Sequence, residues 1–510
     1  MKNFTTDAKR LKNILIVGGG TAGWMTAAAF AKALIPAGYQ VQLVESEEIG
    51  TVGVGEATIP TIKAFNALLG FDEFEFLKRT MGTYKLGIEF IDWGKKNNSY
   101  IHPFGNIGVP HGPLSFYHYW LKYHLQGKSQ DIGDYCLSVQ AARNNKFIPP
   151  VNKPGTLLHQ INYAYHFDAT LYAKYLREYA EAGGVKRTEG MVSSVKLRED
   201  NGYIEGVQLK SGEFLEADFF IDCTGFKALL IENALNTGYE DWSNFLVCDS
   251  AVAVQSVSVE SPRPYTRSIA HESGWQWNIP LQHRVGNGHV YSSRYINDDD
   301  ARATLLNNIQ GELVNQPRII RFKTGMRKKI WNKNCVAMGL SGGFLEPLES
   351  TSIYLIQSAI AKLVSIFPSG DFNADDVDQY NQMMRDDYHY TRDFIILHYK
   401  VSERNDSPFW RYCQKMEIPE SLQKKIDLYR NSGRIFLKHS NIFREESWVS
   451  VMQGQGLSPT DYHPLADVLS GQNLDAYMSK INQGIKSALE IMPSHEDFIS
   501  KYCAISGMNK

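Results

Sequence analysis

The sequence predicts an α/β chain: a parallel-sheet module at the front, a mixed-sheet region threaded through it, and a mainly helical C-terminal part. Three observations carry this. The short apolar run Asn13 to Val17 meets the glycine turn Gly18-Gly19-Gly20-Thr21-Ala22-Gly23 and then an alanine-rich stretch, Trp24 to Leu34. Aromatic and β-branched residues in extended pattern run from Leu246 to Phe322. Beyond Ser350 the apolar spacing is helical to the end of the chain.

The N-terminal elements justify the first reading. Strand, glycine turn, helix and a second strand (Val41 to Glu45) ending on an acid form a Rossmann-like dinucleotide-binding unit. The glycines permit a tight turn and close approach of backbone to a pyrophosphate, and the helix start offers free N–H groups. Glu45 stands 22 residues after Gly23, where an acceptor for ribose hydroxyls belongs. Gly18, Gly20, Thr21, Ala22, Gly23 and Glu45 are therefore cofactor candidates. Asp168 to Glu181 reads as a helix, and 191–197, 203–210 and 214–221 read as strands, the last ending in Asp222-Cys223-Thr224-Gly225-Phe226. Asn334 to Met338 is a further strand before Gly339-Leu340-Ser341-Gly342-Gly343. Glycine-rich pieces at 18–23, 53–55, 222–226 and 339–343, assembled around one long molecule, fit FAD better than NAD. They add Gly55 and Gly339 to the candidates. On this reading residues 1–350 form the FAD-binding α/β module, with substrate-side segments interleaved at about 85–165 and 246–330, and 351–510 form a helical substrate-covering region.

Composition narrows the function. The 510 residues carry 53 Lys and Arg against 55 Asp and Glu, so no excess of positive charge is available for a nucleic-acid backbone or an anionic membrane. Ile14 to Val17 is too short for a signal-peptide core or a membrane span. The six cysteines (136, 223, 248, 335, 413 and 503) form no C-x-x-C pair, and no His, Cys and acid cluster has metal-ligand spacing. A reducing cytoplasm and no metal are the expectation. A large core could absorb the 25 Phe, 27 Tyr and 9 Trp, and so could a site for a flat ring.

Four blocks resemble the flavin-dependent tryptophan halogenase family: GGGTAGW at Gly18 to Trp24, GVGEATIP at Gly53 to Pro60, GWQWNIP at Gly274 to Pro280 with the family's W-x-W-x-I-P signature, and LSGGFLEPLEST at Leu340 to Thr351. In that family reduced FAD and oxygen oxidise a bound halide to hypohalous acid, which travels through an internal tunnel to a lysine beside an aromatic substrate. The resemblance assigns the lysine to Lys85 and an active-site carboxylate to Glu349, which would orient the hypohalous acid and accept the ring proton. The same blocks add Glu56, Ala57 and Leu348 to the cofactor candidates. Glu346, three residues earlier, reads as an ordinary acid at a helix start. Thr351 and Ser352 match the family's Thr-Gly halide site, with serine in place of glycine. Trp275 and Trp277, alternating on a strand, match the pair that keeps substrate from the flavin. His102, Pro103 and Phe104 match the segment that sandwiches the indole, and His398 matches another ring-contacting histidine. A separate NAD(P)H-dependent flavin reductase is implied as partner, since one dinucleotide fingerprint is present, and a homodimer is compatible with the resemblance.

The pattern departs from the family in one place. From Arg434 through His439 and Phe443 to Trp448 and Gly456 the chain lacks the tyrosine-rich insert of members that hold free tryptophan. This predicts an indole or a substituted indole as substrate, and a more open site. The alternatives are a flavin-dependent aromatic hydroxylase and a flavin-binding protein whose chemistry has decayed.

Overall fold

The computed structural model describes residues 11–48, 55–129, 131–368, 370–437 and 441–504. Its front is a six-stranded sheet in the order Trp331–Asn332, Cys335–Ala337, Phe219–Asp222, Asn13–Val17, Gln40–Glu45, Lys186–Glu189. All pairings but the first are parallel. Asn13–Val17 lies in the middle with four of its five residues buried, which is why it reads as an unbroken apolar run rather than an alternating one. Helix Thr21–Ala33 packs against helix Ala169–Ala182, whose N-cap Asp168 accepts from the amides of Thr170 and Leu171. Fold class is as the sequence predicts.

Two segments with a strand-like sequence pattern are each divided. The 214–221 stretch becomes Phe214–Glu216, which joins an antiparallel meander with Ile204–Leu209 and Val192–Leu197, and Phe219–Asp222, which enters the main sheet. The stretch around Lys85 becomes Thr83–Lys85 and Gly87–Ile91, in different sheets. Leu86 between them gives its amide to Pro264 O. Thr83–Lys85 pairs with Ala164–Asp168 in a small sheet completed by Gly55–Ala57. Gly87–Ile91 enters the large mixed sheet, ordered Arg318–Arg321, Ser250–Ser256, Val285–Tyr291, Gly274–Pro280, Thr266–His271, Gly87–Ile91, Ser99–Pro103. Thr266–His271 and Gly87–Ile91 run parallel, and the other neighbours in this sheet run antiparallel.

From Ser352 onward the described chain carries helices Ser352–Ser365, Ala374–Lys400, Pro408–Lys415, Glu420–Ser432, Glu445–Gly454, Gly471–Ile491 and His495–Tyr502. The longest, Ala374–Lys400, is exposed early and buried from Thr391 to Tyr399, so its C-terminal third enters the core. The last helix reaches back to the small sheet: the Tyr84 amide donates to His495 Nε2 at 3.2 Å. No helix among the described residues is long and apolar enough to cross a membrane.

Candidate active site

The glycine turn is shaped for a bound pyrophosphate. Gly18 has φ +109°, and a Cβ there would stand 2.3 Å from Cys223 O; at Gly23 it would stand 1.9 Å from Gly18 O. These two positions lock strand and helix together. At Gly20, the N-cap of helix Thr21–Ala33, a Cβ would meet nothing within 4 Å, and no side chain caps the helix. The open space therefore lies over free amides, where an anion binds. Glu45 crosses the turn beside Gly19; its Oε1 accepts from Arg187 Nε at 2.7 Å, and Trp24 Nε1 donates to its Oε2 at 3.3 Å. Gly339, at φ +66°, lies where a Cβ would come within 2.8 Å of Ala22, so the third glycine cluster meets the first. Glu56 is half-buried and burial pushes its carboxyl up to about 7; Leu348 is buried. These residues fit a long dinucleotide. Gly53 falls outside the described residues.

Lys85 is fully buried at the end of its short strand. Its Nζ donates to Thr58 O at 3.0 Å and to Ser350 Oγ at 2.7 Å, and lies 5.2 Å from the centre of the Phe104 ring. An ammonium carries three donors, so one remains. Burial pulls the lysine down to about 7, against the attraction of Glu349. Ser350 adopts φ +58°, a left-handed conformation costly for a residue with a side chain. Its hydroxyl is thereby committed to Lys85 and caps no helix.

Glu349 is also fully buried. His102 Nδ1 lies 2.9 Å and 3.1 Å from its two oxygens. His398 Nε2 lies 2.8 Å from its Oε1, while His398 Nδ1 donates to Phe394 O at 2.8 Å. Burial pushes the carboxyl up, but the two imidazoles outweigh it and hold it down at about 2. The site thus sets a carboxylate that stays ionised beside a lysine that titrates near neutrality. Two environments push neighbouring groups to opposite ends of their ranges, which is the mark of acid–base machinery.

His102 and His398 spend their ring edges on this carboxylate. The planes of His102 and Phe104 meet at 75° with centres 6.4 Å apart, a crossed arrangement rather than the parallel faces of a sandwich. Pro103 ends the strand that carries His102. Two further rings that sequence reasoning did not single out stand beside His102. Phe394 and Phe443 stack at 3.9 Å, and both approach His102. Phe443 lies in the stretch that departs from the family; His439 in the same stretch falls outside the described residues.

Thr351 is the N-cap of helix Ser352–Ser365 without a side-chain cap, and its buried Oγ1 has no partner. The first-turn amides beside it are free of side-chain caps, a setting suited to an anion. Ser352 is the half-buried first residue of that helix.

Trp275 and Trp277 lie on strand Gly274–Pro280, both buried, with ring centres 6.2 Å apart. Gly288 opposite leaves room for the Trp277 ring, since a Cβ there would stand 2.1 Å from it. Glu346 requires a correction. The sequence suggests an ordinary acid at a helix start, but it is fully buried in front of the tight turn Pro347–Glu349, with Trp275 and Tyr399 as partners. The missed signal was its setting: Phe344-Leu345 before it and Pro347-Leu348 after it leave an acid in an apolar run.

The chain matches the tryptophan halogenase family over residues 13–471. It belongs to that family. Tryptophan 7-halogenase RebH of Lentzea aerocolonigenes is 34% identical, with 96% of this chain and 98% of RebH covered. Among solved structures, the flavin-dependent halogenase Xcc4156 of Xanthomonas campestris superposes with a TM-score of 0.94 at 46% identity, covering 98% of this chain and 100% of that one. BrvH, a flavin-dependent halogenase of Brevundimonas sp. BAL3, gives 0.93 at 41% identity, covering 97% and 99%. The protein is thus a flavin-dependent halogenase, using reduced FAD and halide, and the hydroxylase reading is set aside.

Proposed function

We propose that this halogenase acts on indole or substituted indoles in preference to free tryptophan, with Lys85 and Glu349 as its catalytic pair. The observation that carries the pair is the buried arrangement of Lys85, Glu349, His102 and His398, in which burial is offset by specific partners rather than avoided. FAD in its reduced form supplies, with oxygen, the oxidising power that turns halide into hypohalous acid. The free donor of Lys85 holds and polarises the hypohalous oxygen, since Thr58 O and Ser350 Oγ occupy the other two. Glu349 stabilises the cationic ring formed when halogen adds, and accepts the proton whose loss restores aromaticity.

Gly18, Gly20, Thr21, Ala22, Gly23, Glu45, Gly55, Glu56, Ala57, Gly339 and Leu348 would hold the flavin dinucleotide, and Thr351 with Ser352 the halide. Trp275 and Trp277 form the barrier between flavin and substrate. Phe104, Phe394 and Phe443 give the indole its apolar faces, where each ring pair is worth about 1 kcal/mol beyond burial. Pro103 limits the flexibility of that wall. His102 and His398 orient Glu349 as well as lining the ring site. A separate NAD(P)H-dependent flavin reductase supplies reduced FAD.

The preference for indoles rests on the 434–456 stretch, which lacks the tyrosine-rich insert and presents Phe443 to the site. An aerobic assay with a reductase, bromide or chloride, and a panel of indole, 3-substituted indoles and tryptophan, read by mass spectrometry, tests it. Indole products should form at least about tenfold faster than halotryptophan, because a zwitterionic amino-acid group that enters without partners loses hydration worth about 1.4 kcal/mol or more. Faster halogenation of tryptophan would refute the substrate reading.

A further inference from the structure

Glu346 is a buried acid that the reaction above leaves without a task. Its Oε2 accepts the Trp275 indole N–H at 2.8 Å and the Tyr399 hydroxyl at 2.5 Å. Its Oε1 is buried and has no protein donor. All three side chains are 1% exposed or less. A carboxyl placed there without a role is expensive, because burying a polar oxygen unmatched costs about 1–3 kcal/mol.

The surrounding connections give it a place. Glu346 precedes and Glu349 ends one tight turn, Pro347–Glu349. Helix Ala374–Lys400 presents consecutive residues to them: His398 to Glu349, and Tyr399 to Glu346. Trp93 packs 5.3 Å from Tyr399 and 6.4 Å from Trp275. The catalytic carboxylate and the first barrier tryptophan are therefore held by the same turn and the same helix.

We propose that Glu346 is the positioning residue of the Trp275 barrier: its Oε2 fixes the angle of that indole ring and, through Tyr399, ties it to the turn that places Glu349. The inference rests on reading Trp275 and Trp277 as a barrier. A loosened ring would leave the passage between flavin and Lys85 unsealed on that side, so oxidised halide would stray from it instead of reaching the substrate. The informative quantity is a ratio, halogen captured by a soluble trap over halogen found on indole, which loss of folded enzyme alone does not change.

The test uses the full chain with reductase, bromide, indole and monochlorodimedone as trap. Glu346→Gln keeps one oxygen able to accept both donors, and should leave the ratio within about twofold of the parent. Glu346→Leu removes the acceptor, and Trp275→Phe keeps a ring but removes the donor. Each should raise the ratio about fivefold, what one buried hydrogen bond is worth. The double variant should leak about as much as Glu346→Leu, since Trp275→Phe deletes one of the two bonds that the leucine already removes. A parental ratio in Trp275→Phe overturns the inference. So does leakage from Glu346→Gln equal to that from Glu346→Leu, or additive effects in the double variant. Should Glu346→Leu not fold, Trp275→Phe and Glu346→Gln decide the question. Trp275→Ala separates the premise from the inference: if removing the ring altogether causes no leakage, the barrier reading fails; if it leaks while Trp275→Phe does not, only the role of Glu346 fails.

Discussion

Replacing Lys85 with methionine should abolish halogenation and yet stabilise the protein, by an amount that depends on pH in a calculable way. The lysine is fully buried and burial pulls it from 10.5 to about 7. Since the folded value is lowered, the unfolded chain binds more protons between the two values, and stability rises as pH rises through that window. The burden of the ammonium is therefore greatest below about pH 7 and fades toward the ordinary lysine value. Each tenfold change in proton affinity is worth about 1.4 kcal/mol, so the burden is about 5 kcal/mol near pH 6 and about 2 kcal/mol near pH 9. Methionine removes it at both. The lost hydrogen bonds to Thr58 O and Ser350 Oγ set a cost that does not vary with pH, so it cancels in the difference. The variant's gain over the parent should be larger at pH 6 than at pH 9 by about 3 kcal/mol. An unfolding entropy of about 2 cal/mol/K per residue makes that about 3 °C in Tm for a chain of this length. Calorimetry of the flavin-free protein and its variant at both pH values measures it. A Tm difference that is the same at pH 6 and pH 9 would mean that Lys85 titrates as an ordinary exposed lysine, and the proposed catalytic setting would fall with it.

Two further outcomes bear on the same site. Glu349→Gln should lower kcat by about a hundredfold or more, the usual worth of a positioned proton acceptor, with KM for indole changing little; a kcat within about threefold of the parent would remove Glu349 from the reaction. Gly18→Ala should abolish FAD binding, because the added Cβ falls 2.3 Å from Cys223 O in a left-handed backbone, and tight binding by fluorescence titration would show that the turn is not the pyrophosphate site.

The front of the molecule was the most legible part of the sequence. Strand, glycine turn, helix and acid sit within one short stretch, and each is dictated by local chemistry: a buried central strand by its apolar run, the turn by Gly18 and Gly23, the helix by alanine. Lys85 was reached only through the resemblance, because a strand-end lysine ordinarily keeps its head in water. Its burial depends on Thr58 and Ser350, which are 27 and 265 residues away. The division of strands at Leu86 was hidden as well. Apolar pattern registers that Tyr84 and Ile88 are both buried, but not that they belong to different sheets.

Glu346 and Glu349 show why the sequence separated these two acids wrongly. Two acids three apart before an apolar helical run ordinarily favour the positive end of that helix. Here Pro347 and the left-handed Ser350 fold the segment into a tight turn before the helix begins at Ser352, so both carboxyls point inward. What admits them is supplied from afar: His102 from a strand of the large sheet, His398 and Tyr399 from the end of the long helix, Trp275 from the middle of the sheet. Buried acids are tolerated only where such donors converge. A lone glutamate in an apolar run therefore carries a prediction of its own, that distant partners must be brought to it, and in this chain those partners include residues of the proposed site.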